Sequence, residues 1–171
     1  MTGKRSTEPL PGERLSVEDF ARAVRLTPLV AIDLIVRASD GRILLGERNN
    51  EPARGSFFVP GGRITKNETL AAAFRRITRA ELGVERDLVQ ARFVGVYEHI
   101  YTGNFFEHAD FGTHYIVLGH ELSLSASDLA LPTDQHGEYV WKTEAEILAW
   151  PAVHENTRAY FQKRPFASDQ R

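Results

Sequence analysis

The sequence predicts an α/β layered domain built on a mixed sheet. Three observations point there. Strand-like apolar runs and capped helical segments follow one another in mixed order. The chain has 171 residues, which suits one compact domain. Hydrophobic residues make up 42% and charged residues 26%, the balance of a globular chain rather than a disordered one.

Residues 1–14 are polar, with Gly3, Pro9, Pro11 and Gly12, and read as a flexible N-terminal arm; residues 15–171 read as a single domain. Ser16 caps a short amphipathic helix carrying Val17, Phe20, Ala21 and Val24, which Pro28 ends. Leu29–Val36 reads as a buried strand interrupted by Asp33. Ser39-Asp40-Gly41 is a hairpin turn, and Arg42–Glu47 returns as a second strand. Phe57-Phe58-Val59 is a short apolar strand running into a Gly61-Gly62 turn. Thr65 and Glu68 form a capping-box pattern ahead of a helix over Thr69–Leu82, which Gly83 stops. Gln90–Tyr101 and Thr113–Glu121 read as strands around the loop Thr102–Gly112. An irregular connection, Leu124–His136, leads to the strand Tyr139–Trp141. Thr143 caps a further helix that Trp150-Pro151 breaks, and His154–Lys163 reads as a terminal helix.

Composition excludes several classes of function. There is no cysteine, so disulfides, thiolate metal sites and cysteine nucleophiles are out, and a reducing, cytoplasmic setting is compatible. A net charge of −2 argues against a sequence-blind nucleic-acid binder. The longest apolar stretch falls far short of the ~20 residues of a membrane span, and the first fifteen residues carry no signal-peptide core.

The central helix carries Leu70, Ala73, Phe74 and Ile77 at helical spacing, and Glu81 continues that apolar stripe. A carboxylate on such a face needs a partner or a cation, unless the helix end is exposed there. The segment Gly62–Val84 places Gly62, Glu68, Arg76, Glu81, Gly83 and Val84 in the register G-x5-E-x7-R-E-U-x-E-E-x-G-U, where U is a bulky apolar residue. It resembles the Nudix box. That resemblance implies a mixed sheet sandwiched between helices and the hydrolysis of a nucleoside diphosphate derivative with Mg²⁺, or Mn²⁺ in its place.

Two acids of the usual box are missing, because Ile77 and Ala80 stand in their positions. The single remaining helix carboxylate suits one cation rather than two or three. One cation still neutralises a departing diphosphate, which points to attack at the carbon of the linked group. Further segments, among them Thr27–Val30, Gly46–Arg48, Phe58–Arg63, Thr113–Gly119 and Gln135-His136, are similar to the GDP-mannose mannosyl hydrolases within the Nudix family.

The resemblance implies that His136 is the general base, although on its own it reads as an exposed loop histidine. It gives the cation Glu81, the Gly61 carbonyl and the Gln135 amide oxygen. It places Arg48 and Arg63, which alone would read as surface salt-bridge residues, at the diphosphate. Asp33, His99 and Tyr115 fall near the sugar and phosphates, against the plainer readings of a structural carboxylate and ordinary strand residues. Gly62, Glu68, Arg76 and Gly83 are structural, with Glu68 pairing Arg76. A homodimer is implied, with a small-molecule GDP-sugar as substrate and neither nucleic acid nor membrane as partner. An ordinary Nudix pyrophosphohydrolase and a non-catalytic nucleotide-sugar sensor are the alternatives.

Overall fold

The computed structural model describes residues 14–51, 53–108, 110–132 and 136–162, with His136 described in its backbone only. The arm at 1–14, apart from Arg14, and the ligand assigned to Gln135 therefore lie outside the described residues. In chain order the elements are α1 (Val17–Leu26), β1 (Leu29–Arg37), β2 (Ile43–Arg48), β3 (Phe57–Phe58), β4 (Gly61–Arg63), α2 (Leu70–Leu82), β5 (Arg92–Tyr101), β6 (Thr113–Ser123), β7 (His136–Lys142), α3 (Glu144–Ala149) and α4 (Glu155–Arg158).

β1 is the hub of one mixed sheet ordered β3-β2-β1-β6-β5. It runs parallel to β6 from Leu29↔Tyr115 to Arg37↔Ser123. Its other edge is shared: β2 pairs at Arg37↔Ile43, and β4 pairs from Ala31↔Arg63 to Asp33↔Gly61. β7 joins the far side of β2.

The alternation of side chains along β1 builds two cores. Ile32, Leu34 and Val36 meet Ala73, Phe74, Ile77 and Leu82 of α2. Ile35 lies on the opposite face with Ile43, Leu45, Phe57, Ile147, Val153 and Tyr160. The sheet is thus sandwiched between α2 and the α3–α4 region, as the sequence predicts. Among the described residues no helix is long and apolar enough to cross a membrane.

Several local expectations need correction. The glycine pair is not a turn: Gly61 and Gly62 are strand residues of β4. Only glycine fits, since a Cβ on Gly61 would overlap the Asp33 carboxylate and stand 2.8 Å from the Ile32 carbonyl oxygen. The Thr65–Glu68 box closes the loop, and Thr69 is the cap of α2, its Oγ1 accepting from the Ala72 N–H at 3.2 Å. Leu70 is 49% exposed and belongs to neither core, so the buried stripe begins at Ala73. β7 starts at His136, because pairing with β2 continues to Arg48↔His136. The terminal helix is only Glu155–Arg158, after which Tyr160 and Phe161 donate to the carbonyls three residues back and tighten the chain out of the α-helix.

Gly83 ends α2 with φ 67°, the left-handed conformation that glycine adopts without strain. A Cβ there would also collide with the Ala130 carbonyl. Gly83→Ala is expected to destabilise the fold by about 2–4 kcal/mol, combining backbone strain with overpacking. Urea denaturation checks this, and an unchanged midpoint would contradict the packing at the end of α2.

Candidate active site

The loop between β4 and α2 is braced by charge. Arg76 donates from Nε to Glu68 Oε1 at 2.7 Å and from Nη2 to Glu68 Oε2 at 2.8 Å. The same Nη2 donates to the Arg63 carbonyl at 2.8 Å. The Thr65 N–H and hydroxyl both donate to Glu68 Oε2, at 3.1 and 3.0 Å. With its side chain 4% exposed and its oxygens taken up, Glu68 is a brace for the loop and not a free cation ligand. The Arg76 guanidinium holds its carboxyl down to about 2.

On the inner face of α2 the acids have thinned out. Ile77 is 1% exposed within the core, while Ala80 faces outward. Glu81, 6% exposed, is the one acid buried along that helix. Thr78, also without an apolar side chain at its box position, is satisfied: its hydroxyl donates to the Arg75 carbonyl and accepts from the Arg86 N–H, both at 3.0 Å.

Asp33 stands on β1 beside Gly61 of β4, and partial burial pushes its carboxyl up to about 6. The Tyr160 hydroxyl, donating to Oδ2 at 2.6 Å, and the charge of Arg48 oppose that rise, while the charge of Glu81 adds to it. The Asp33 carboxylate thus has a tyrosine hydroxyl as its side-chain partner.

His99 and Tyr115 face each other across β5 and β6. His99 is 5% exposed, and burial lowers it to about 4, so it is neutral at physiological pH. Burial likewise raises Tyr115 and takes Tyr101 up to about 12.

Among the described residues neither Arg48 nor Arg63 forms an ion pair. Arg48 lies over the Phe58 ring at 5.5 Å, and its charge reaches Asp33, Tyr101, Tyr115 and His154. Arg63 lies 3.7 Å over the Phe20 ring of α1, with Tyr115 near its charge. The backbone of His136 is the cross-strand partner of Arg48. At the next residue, a Cβ on Gly137 would stand 3.0 Å from Asn49 Oδ1 and 3.1 Å from Glu47 Oε2. β2 therefore brings Arg48 to the end of β7 at which the His136 backbone stands.

Asp33, His99, Tyr115, Arg48 and Arg63 thus gather around one end of β1, with Glu81 approaching from α2. Tyr160, Tyr101 and His154 also belong to this cluster and were missed by sequence reasoning. Tyr160 lies 127 residues from Asp33, and nothing in its local sequence separates it from a terminal-helix aromatic. Two open hollows beside α1, lined in part by Arg25, Leu26 and Phe111, include neither Asp33 nor Glu81.

Among the described residues no group of three or more His, Cys, Asp or Glu is placed to hold a metal. Two oxygen donors, the Glu81 carboxylate and the Gly61 carbonyl, are of the kind that a hard divalent cation takes, with further oxygens from substrate and water. The mutual repulsion of Glu81 and Asp33 is the kind of charge that such a cation would relieve.

A family model described as the NUDIX domain matches residues 27–164. The chain belongs to the Nudix family. It is 38% identical over 138 residues to the low-salt glycan biosynthesis protein Agl8 of Haloferax volcanii, covering 81% of this chain and 85% of that one. It is 41% identical over 59 residues to an ADP-ribose pyrophosphatase of Methanocaldococcus jannaschii, covering 34% of each chain. The structure resembles a MutT Nudix hydrolase from Burkholderia pseudomallei with a TM-score of 0.63 and 25% identity, over 79% of this chain and 96% of that one. The Nudix match takes in every residue gathered above except Phe20, which α1 supplies from outside it.

The Nudix loop brace has a pH signature. Because the folded-state pKa of Glu68 is depressed from 4.5 to about 2, its ionised form stabilises the fold above the ordinary range and that stability is lost as pH falls toward 2. Glu68→Gln is expected to melt below the native protein near neutral pH, with the gap closing as the pH falls through that window. A gap independent of pH would mean that the ion pair with Arg76 is not its source.

Proposed function

We propose that the chain hydrolyses a nucleoside-diphosphate sugar of the GDP-mannose type, cutting the anomeric carbon–oxygen bond to release GDP and free sugar with inversion. The observation that carries this reading is the inner face of α2, where Ile77 is core and Glu81 is the one buried acid. Such a face supports a single cation at the diphosphate better than the multi-metal cluster needed to activate water against phosphorus. The glycan-biosynthesis relative supports a nucleotide-sugar substrate.

In this reading Glu81, the Gly61 carbonyl and Gln135 would hold Mg²⁺, which neutralises charge on the leaving diphosphate. Arg48 and Arg63 bind that diphosphate. Their planar guanidinium groups rest on aromatic faces and keep their donors for phosphate oxygens. Asp33 and neutral His99 orient the sugar hydroxyls. His136 takes a proton from water as the water oxygen bonds to the anomeric carbon, and the carbon–oxygen electron pair leaves with GDP. Tyr115, beside both arginines, contacts the phosphate side.

The partial match to an ADP-ribose pyrophosphatase favours a second reading, in which water attacks phosphorus. Incubation with GDP-mannose and Mg²⁺ in heavy-oxygen water separates the two. Label in free mannose with unlabelled GDP is the expected result. Label in GMP or mannose phosphate means attack at phosphorus. Tight binding without turnover makes the protein a sensor. If the leading reading holds, Glu81→Gln and His136→Ala each lower kcat by about 100-fold or more.

A further inference from the structure

We propose that Tyr160 is a positioning residue whose single hydroxyl orients Asp33 and fixes the tautomer of His99, so that both present hydrogen-bond acceptors to the sugar of the substrate. The sugar assignment rests on the function proposed above; the tautomer assignment does not.

The Tyr160 oxygen lies 2.6 Å from Asp33 Oδ2 and 3.4 Å from His99 Nε2. A phenol carries one proton. The shorter, charge-assisted contact to the carboxylate takes it. The Tyr160 oxygen then faces His99 Nε2 with a lone pair, so the proton between them must come from Nε2. Burial keeps His99 neutral and raises Tyr160 well above its ordinary pKa, so neither carries charge near pH 7. A neutral imidazole protonated at Nε2 has an unprotonated Nδ1, which is an acceptor. Carboxylate and imidazole together then call for a ligand rich in hydroxyl donors. A phosphate, bearing only acceptors and negative charge, is repelled from this end and left to Arg48 and Arg63.

The ring of Tyr160 is seated separately from its hydroxyl. It lies over Gly119 of β6, the residue registered beside Asp33. A Cβ on Gly119 would stand 3.5 Å from Tyr160 Cε1 and 3.1 Å from Tyr97 Cε2. The Tyr97 ring meets that of Tyr160 edge-on, with centroids 4.4 Å apart. Removing the hydroxyl alone leaves this packing in place.

The test is Tyr160→Phe, read in two ways. Nitrogen-15 spectra of the histidine imidazoles, taken near neutral pH without substrate, should show His99 protonated at Nε2 in the native protein and that preference lost in the variant. Native His99 protonated at Nδ1 overturns the proposal, whether or not the variant folds. In steady-state assays with Mg²⁺, the variant should raise KM for GDP-mannose about tenfold, the worth of a lost hydrogen bond, and leave inhibition by GDP unchanged. Equal weakening of both ligands, or of neither, overturns the sugar-positioning role. If the native protein does not process GDP-mannose at all, the proposed function fails, and the native imidazole spectrum still decides the Tyr160–His99 contact.

Discussion

The approach of Gly61 and Gly62 to β1 decides where the rest of the site can stand. β1 cannot pair with β2 along its whole edge, because β4 occupies its N-terminal half. β4 lies so close to β1 that a side chain on Gly61 would overlap the Asp33 carboxylate, and so close to α2 that a Cβ on Gly62 would stand 3.2 Å from Ile77 Cγ1. This two-sided contact draws the end of β1 and the inner face of α2 together. Asp33 and Glu81, on separate elements, come within reach of each other's charge as a result. The Arg76–Glu68 brace, anchored on the Arg63 carbonyl, holds the exit from β4 in the geometry that the glycines permit.

Charge is sorted around that contact. The carboxylates of Asp33 and Glu81 stand on the strand and helix flanking β4. The guanidinium groups come from the end of β2 and from β4 itself, and each is supported on an aromatic face. Phe20 of α1 supplies one of these faces, and it also packs edge-on against Phe106 with centroids 5.2 Å apart. The N-terminal helix is therefore tied to the loop at 102–112 and to Arg63 at once. Arginines held this way keep low entropy, and among the described residues they spend no donor on a protein carboxylate. That arrangement suits an anionic ligand better than it suits fold stability.

Much of this was legible in the sequence, for identifiable reasons. The stop of α2 at Gly83, the hairpin at Gly41 and the strand β1 obey local rules of capping, turn chemistry and periodicity. The place of Glu81 on the Ile77 stripe left a buried acid and an exposed helix end both open, and the structure buries it. What local rules could not supply was long-range. Gly61-Gly62 has the composition of a turn, and only the neighbouring strand explains why it pairs instead. The seat of Tyr160 lies over a glycine of β6, against Tyr97 and across the sheet from its own segment. No periodicity of the terminal segment carries that information.

The position of Ile77 links fold to chemistry. In the Nudix box this position ordinarily bears an acid, and here it is a fully packed member of the core under β4. An acid at that point would have to keep its charge against apolar neighbours or reach a cation, since burying an unpaired carboxylate costs several kcal/mol. A chain that needs several cations bears that cost because the metals offset it. With isoleucine that cost does not arise, and α2 packs against Gly62 by dispersion and apolar burial instead. Strengthening the contact that shapes the site therefore removes a ligand from it. In the reaction proposed above, positive charge for a leaving diphosphate would come from one cation together with side chains, and the two arginines resting on Phe58 and Phe20 are the groups proposed to supply it.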